Sequence, residues 1–195
     1  MAGKIIFYLK MCRVLPVYWI WRHSDSAEII RRDMLFWKER KSFPYERELI
    51  LFAHLMLEAE GFRNLFLYRI KKHRALIRRL FPPVDTLFIG SEHIGAGLYI
   101  QHGFSTIICA KSIGEECWIN QQVTIGYEQD RMPVIGNHVR ICAGAIVIGD
   151  VTIGDNSIVA AGAVVTRDIP PGEIWGGSPA RFIKKVKGSS FEDQR

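Results

Sequence analysis

The chain lacks the features that would mark several protein classes. Its 195 residues include only four cysteines, Cys12, Cys109, Cys117 and Cys142. They form no CxxC pair and have no ligand-like spacing to histidine, which excludes a disulfide framework and a zinc site. They read as small apolar residues of a reducing cytoplasm, and no metal is expected. Long apolar runs are also missing. Lys10, Arg13 and Pro16 interrupt the run that begins Ile5-Ile6-Phe7-Tyr8-Leu9, and no small-residue cleavage site follows. The stretch is too short and too charged to span a bilayer and does not read as a signal peptide. Glycine is scarce at first: 2 of the 17 precede position 86. Residues 1–85 carry 17 basic and 9 acidic side chains, against 9 and 11 in the remainder. With 48% apolar residues the chain can bury a core, so disorder is excluded. Two regions of different physics therefore meet near Pro82-Pro83: residues 1–85 and residues 86–187, with 188–195 as a tail.

The first region has helical periodicity. Ser26 is placed to cap a helix opening at Ala27, with Ile29, Ile30, Met34 and Trp37 at three- and four-residue steps. A turn at Ser42-Phe43-Pro44 precedes a second helix from Tyr45 to Ala59, which Gly61 ends. A third runs from Asn64 to Leu80 and finishes in basic residues, where a helix C-terminus favours them. Pro82-Pro83 stops it. Lys4, Lys10 and Arg13 interleave with Phe7, Tyr8, Trp19 and Trp21, a pattern for a helix packed on protein or lying on a membrane surface.

Beyond position 86 the period becomes six. Phe88, Ile94 and Ile100 form one series, and Ile107, Ile113, Ile119 and Ile125 a second. Ile135, Ile141, Val147, Ile153, Val159 and Val165 form a third. Glycine follows several of these, and four residues after most comes a smaller or branched side chain such as Cys117, Ala145, Ser157 or Ala163. A period of six is neither helical nor a plain strand alternation. It fits short flat strands joined by tight corners, with the aliphatic pointing into a narrow interior. One extra residue lies between Ile100 and Ile107, beside His102. Four lie between Ile125 and Ile135, forming a loop from Tyr127 to Pro133.

These [Ile/Val/Leu]-Gly-x-x-[small]-x hexads resemble those of the hexapeptide-repeat acyltransferases. The resemblance implies an α+β chain: an N-terminal α-helical region followed by a left-handed parallel β-helix of triangular section. At three hexads per coil, thirteen hexads imply about four coils. Gly176-Gly177-Ser178-Pro179-Ala180-Arg181 resembles the family's closing segment, after which a short strand or helix is expected. Within the superfamily, residues 45–187 resemble the serine acetyltransferase branch. The matching stretches are Phe62 to Arg69, Ile94-Gly95-x-Gly97-Leu98-x-Ile100-x-His102, Val123-Thr124-Ile125-Gly126 and Asp130-Arg131-x-Pro133. Three positions depart from the branch: Gln101 replaces an aspartate, Met132 a histidine, and Leu87 an aspartate. These are the positions that hold serine, and the departures tilt the expected acceptor from serine towards a sugar hydroxyl.

The resemblance implies acetyl-CoA as acyl donor and His102 as general base. Acyl transfer to a hydroxyl needs a base near neutral pH, and imidazole supplies one. Asp85, Glu92 or a backbone carbonyl would orient the ring. A backbone N–H within Asn120–Gly126 would receive the oxyanion. Gly126, Ala143, Gly144, Ala161 and Gly162 offer small-residue backbone to a pantetheine arm, and Arg181 and Lys184 offer charge to its phosphates. Gln101, Asn120, Tyr127 and Arg131 are candidates for the acceptor, with an Asp130–Arg131 surface ion pair as the other reading of the loop. The expected unit is a homotrimer, or a hexamer formed as a dimer of trimers, with sites between chains. A cytoplasmic enzyme is expected, with the N-terminal helices as the place for peripheral membrane contact; no nucleic-acid motif accompanies their charge. The non-enzymatic alternative is a β-helical scaffold or membrane-associated assembly protein. A carbonic-anhydrase-like enzyme would need three histidines at coil spacing, which His93, His102 and His138 do not show.

Overall fold

The computed structural model describes residues 2–187, with side chains from Lys10 onward. The tail at 188–195 and the side chains of Lys4 to Leu9 lie outside the described residues. The chain divides into two compact units, Met1–Val84 and Asp85–Arg195.

The first unit is helical: α1 Ala2–Arg22, α2 Ala27–Lys41, α3 Glu48–Glu58, α4 Glu60–Arg69 and α5 Arg74–Leu80. Aromatic side chains fill its core. Trp21 stacks on Phe52 at 4.9 Å, Phe52 meets Phe66 edge-on at 5.4 Å, and Trp37 meets Phe62 at 5.7 Å. Beside them lies a buried ion pair. Arg69 donates from Nε and Nη2 to the two oxygens of Asp33, at 2.9 and 3.2 Å, joining α4 to α2. Trp21 and Trp37 are thus covered within the unit, and of the tryptophans only Trp19 is strongly exposed, at 65%. No described helix is long and apolar enough to cross a membrane.

Several helix boundaries differ from expectation. α1 continues through Pro16. Ser26 makes no side-chain cap; its hydroxyl donates to Arg69 O at 3.0 Å instead. α3 starts at Glu48 rather than Tyr45, its N-cap Arg47 being extended. The break after α3 falls at Ala59, which is extended, and Gly61 sits buried in the first turn of α4. The single run expected from Asn64 to Leu80 is two helices. The break falls at residues 70–73, where Ile70 is extended and His73 turns left-handed ahead of Arg74.

The second unit is a parallel β-solenoid with three faces. The first carries β1 (Leu87–Ile89), β4 (Thr106–Ile108), β7 (Thr124–Gly126), β10 (Ile146–Ile148) and β13 (Val164–Val165). The second carries β2 (His93–Ile94), β5 (Ser112–Ile113), β8 (Val134–Ile135) and β11 (Thr152–Ile153). The third carries β3 (Tyr99–Ile100), β6 (Trp118–Ile119), β9 (Arg140–Ile141), β12 (Ile158–Val159), β14 (Glu173–Gly176) and β15 (Arg181–Lys185). Among the described strands only β15 runs antiparallel, against β14. It realises the terminal strand.

Three interior columns run up the solenoid. Ile94, Ile113, Ile135 and Ile153 line the second face, where Ile169 bridges to Ile153. Ile100, Ile119, Ile141, Val159 and Trp175 line the third. On the first face the column is Ile89, Ile108, Ile125, Val147 and Val165. Two of the hexad aliphatics therefore lie outside: Phe88 is 58% exposed and Ile107 46%. The break beside His102 is two residues long, and the first two strands of this face sit one residue later than a strict count of six places them. Ile169 and Trp175 complete a fifth coil where thirteen hexads imply about four. Burial settles the cysteines similarly. Cys109 and Cys117 are buried and Cys142 half-buried, whereas Cys12 is exposed. Burial pushes the Cys117 thiol up to about 12, and it donates to Gly136 O.

The corners after the second-face strands leave little room. A Cβ on Gly114 would sit 2.6 Å from the carbonyl carbon of Gly136 on the next coil. Gly114→Ala must spread two coils and should cost about 1–3 kcal/mol, lowering Tm by roughly 3–10 °C at this chain length. Thermal unfolding measures this, and a Tm within 1 °C of wild type would show that the corner yields. The raised Cys117 pKa keeps that thiol neutral through pH 8. A thiol reagent at that pH should therefore modify Cys12 rapidly and Cys117 only on unfolding.

Candidate active site

His102 follows β3 at the corner between the third and first faces. The chain bulges there, with positive φ at His102 (65°), Gly103 (66°) and Ser105 (51°), and the imidazole is exposed. Gln121-Gln122, Ala143-Gly144 and Ala161-Gly162 occupy the same corner on successive coils. Backbone bonds stack them: Gln122 N donates to Phe104 O, Gly144 N to Gln121 O and Gly162 N to Ala143 O, at 3.0, 3.1 and 2.9 Å. Rungs repeat at ~4.8 Å, so a histidine and a strip of small residues lie along one edge of the same chain.

That strip is open. A Cβ on Gly162 would meet nothing within 4 Å, and one on Gly144 would meet only the Gly162 backbone, at 3.9 Å. Among the described residues, the N–H groups of Gln121, Ala143 and Ala161 donate to no backbone carbonyl. Within the 120–126 stretch, the coil ladder already engages Asn120, Gln122 and Thr124. The Gln121 N–H, at the corner itself, is left without such a bond.

Beside His102, Gln101 faces outward from the end of β3. Its Oε1 accepts two hydrogen bonds from the coil above, from Trp118 Nε1 at 3.0 Å and Asn120 Nδ2 at 2.9 Å. The Arg140 guanidinium lies 4.2 Å over the Trp118 ring, and Tyr99 meets that ring edge-on at 5.4 Å. Asn120 Oδ1 and Gln121 Oε1 are covered and without a hydrogen-bond partner. Burial raises the Cys142 thiol pKa, against the lowering effect of neighbouring Arg140.

The other expected residues are dispersed. Asp85 is exposed on the approach to the first face, below the same corner, and makes no hydrogen bond to His102. Glu92 stands at the next corner, between the first and second faces, away from His102. Gly126 ends β7 on the way to that corner too. The loop beyond it is a tight hairpin in which Glu128 and Arg131 exchange backbone bonds at 3.0 and 3.1 Å. Tyr127 and Arg131 are exposed in it, and Asp130 and Arg131 form no ion pair. Arg181 and Lys184 lie on β15, paired with Gly176 and Ile174 above the third face. Sequence reasoning did not single out Trp118 and Arg140. Their signal was positional, because the residue before each interior aliphatic faces out, and Tyr99, Trp118 and Arg140 form one such column.

Residues 132–167 match the family model described as bacterial transferase hexapeptide (six repeats). The chain is 33% identical over 146 residues to a serine acetyltransferase of Helicobacter pylori (strain ATCC 700392 / 26695), an alignment covering 67% of this chain and 85% of that protein. It is 34% identical over 138 residues to the serine acetyltransferase of Synechococcus elongatus, covering 63% of this chain but only 57% of that longer protein. The crystal structure of serine acetyltransferase from Brucella abortus strain S19 in complex with coenzyme A superposes with a TM-score of 0.66. There the sequence identity is 23%, with 94% of this chain and 74% of that one covered. The solenoid is accordingly a left-handed β-helix, and the chain belongs to the hexapeptide-repeat acyltransferases, in their serine acetyltransferase-like branch.

Proposed function

We propose that the chain is an acetyl-CoA-dependent O-acetyltransferase in which His102 is the general base. The observation that carries this reading is the shared edge: a solvent-facing imidazole and an open backbone strip stack on one corner. Ala143, Gly144, Ala161 and Gly162 would border the pantetheine arm, and Arg181 and Lys184 its phosphates. The acceptor is a small hydroxyl compound. His102 takes the hydroxyl proton as the oxygen attacks the thioester carbonyl, and Gln121 N–H faces the developing oxyanion. The C–S bond then breaks, and the imidazolium returns its proton to the departing thiolate. Both substrates are bound together, and no covalent enzyme intermediate is needed. Asp85 is better placed than Glu92 to support the ring.

The working unit in this reading is a trimer or a dimer of trimers. The first face displays Phe88, Ile107 and Ile148, and Phe104 stands two residues after His102, all exposed. Such a patch calls for a covering surface. A neighbouring copy would supply one and would bring Tyr127 and Arg131 of its loop, remote from His102 in their own chain, to the acceptor. The setting is cytoplasmic, and exposed Leu15 and Trp19 on α1 are the residues for any membrane contact.

His102→Ala should reduce acetyl transfer ~10²–10⁴-fold. Because His102 has positive φ, His102→Asn is the gentler variant, asparagine tolerating that backbone. Both should keep the wild-type circular dichroism; more than half the wild-type kcat in His102→Asn would remove His102 from the mechanism. Light scattering on active protein should give three or six times 22.3 kDa. A fully active monomer would overturn the shared-site assembly.

A further inference from the structure

Gln101 is held in one orientation, and that orientation limits what the acceptor can present. An amide side chain offers an acceptor at Oε1 and two donors at Nε2, and the two ends are interchangeable unless a neighbour discriminates. Trp118 discriminates. Its indole N–H is donor-only, so the Gln101 atom 3.0 Å away must be the oxygen. Asn120 Nδ2 donates to the same oxygen at 2.9 Å, which leaves Asn120 Oδ1 covered and without a partner. Reversing Asn120 would set two acceptors against each other, so the orphaned oxygen follows from the lock. Arg140, stacked at 4.2 Å on the indole, braces it from the other side. Gln101 Oε1 is therefore occupied, and among the described residues nothing takes its Nε2 protons. An outward-facing residue adjacent to the base thus offers donors and no charge.

We propose that Trp118 is a positioning residue that fixes the Gln101 amide with its N–H groups towards the acceptor, which selects a polyhydroxyl acceptor over an amino acid. This rests on the transferase reading above. A hydroxyl or ring oxygen accepts from Nε2, whereas an ammonium group, itself all donor, meets only donors there. Arg140 acts on the acceptor only through Trp118. Met132, in the loop, provides no countercharge.

L-Serine and L-glycerate isolate the point, because they differ only by an ammonium in place of a hydroxyl; a methyl hexopyranoside represents the polyol class. Acetyl transfer from acetyl-CoA to each is followed by thiol release and by product mass. Wild type should use glycerate and the hexoside at least about tenfold better than serine in kcat/KM, the scale of one mismatched buried hydrogen bond. Gln101→Glu keeps shape and the bonds to Trp118 and Asn120 but turns the free end into an acceptor, and should shift the glycerate-to-serine ratio towards serine by a similar factor. Trp118→Phe keeps the ring under Arg140 and deletes only the N–H. Gln101 can then reverse, and the ratio should move the same way by a smaller factor. A merely structural Trp118 would change rate or Tm and leave the ratio alone. Serine used as well as glycerate by wild type, or ratios unmoved in active Gln101→Glu, would overturn the proposal and leave the transferase intact. No transfer to any acceptor by wild type would overturn the transferase reading and this proposal together.

Discussion

The narrow interior of the solenoid governs the second unit. Three short parallel strands enclose a space that takes one aliphatic per strand and one small side chain per corner, and the next coil must repeat the arrangement one rung higher. Ile113, Ile135 and Ile153 stack because each fills the slot its predecessor leaves. Close approach at the corners follows, and Gly114 has backbone of the next coil where a Cβ would stand. Polar side chains that cannot fit the bore must point outward or occupy an insertion. The corner bulge at His102 is one such insertion, and the outward column of Tyr99, Trp118 and Arg140 is the other kind of place. Site and scaffold are therefore separated by the direction of the pleat.

The helical unit is ordered by a different means. Its aromatic core is non-directional, and the buried pairing of Asp33 with Arg69 adds a directional link between α2 and α4. Truncating one member of such a pair leaves the other charge buried and unpaired, which is why these pairs are costly to break even where they add little net stability. Ser26 reinforces the link by donating to the carbonyl of Arg69 itself. A residue chosen by sequence rules as a helix cap is here a tertiary contact.

What could be read from the sequence follows from this difference. A strict period imposed by a narrow bore writes itself into the chain, so the solenoid, its corners and the place of His102 at a break in the period were legible. The phase was not legible where the chain bulges. Phe88 and Ile107 satisfy a count of six, yet the steps from the first face to Ile94 and Ile113 are one residue shorter, which puts Ile89 and Ile108 on the inner side. Helix limits were less legible: Gly61 carries a local stop signal that its burial in the first turn of α4 overrides, and the left-handed turn at His73 lies inside a basic run that local pattern places within one helix. Within the site, the small-residue strip was legible because glycine and alanine in series are rare elsewhere in the chain. The restraint on Gln101 was not. It depends on side chains 17 and 19 residues away, and only coil stacking brings them adjacent.

A stack of parallel strands also has ends. The last coil of a β-helix exposes a row of unpaired N–H and C=O groups, an invitation to further strands. On the third face β15 reverses direction and pairs with β14, occupying that sheet's edge. Its own outer edge carries Arg181, Lys184 and Lys185, all exposed. A copy arriving to extend the column would meet a strand of the wrong polarity studded with like charge. On that face, termination of the sheet is thus also a barrier to its extension into a fibre.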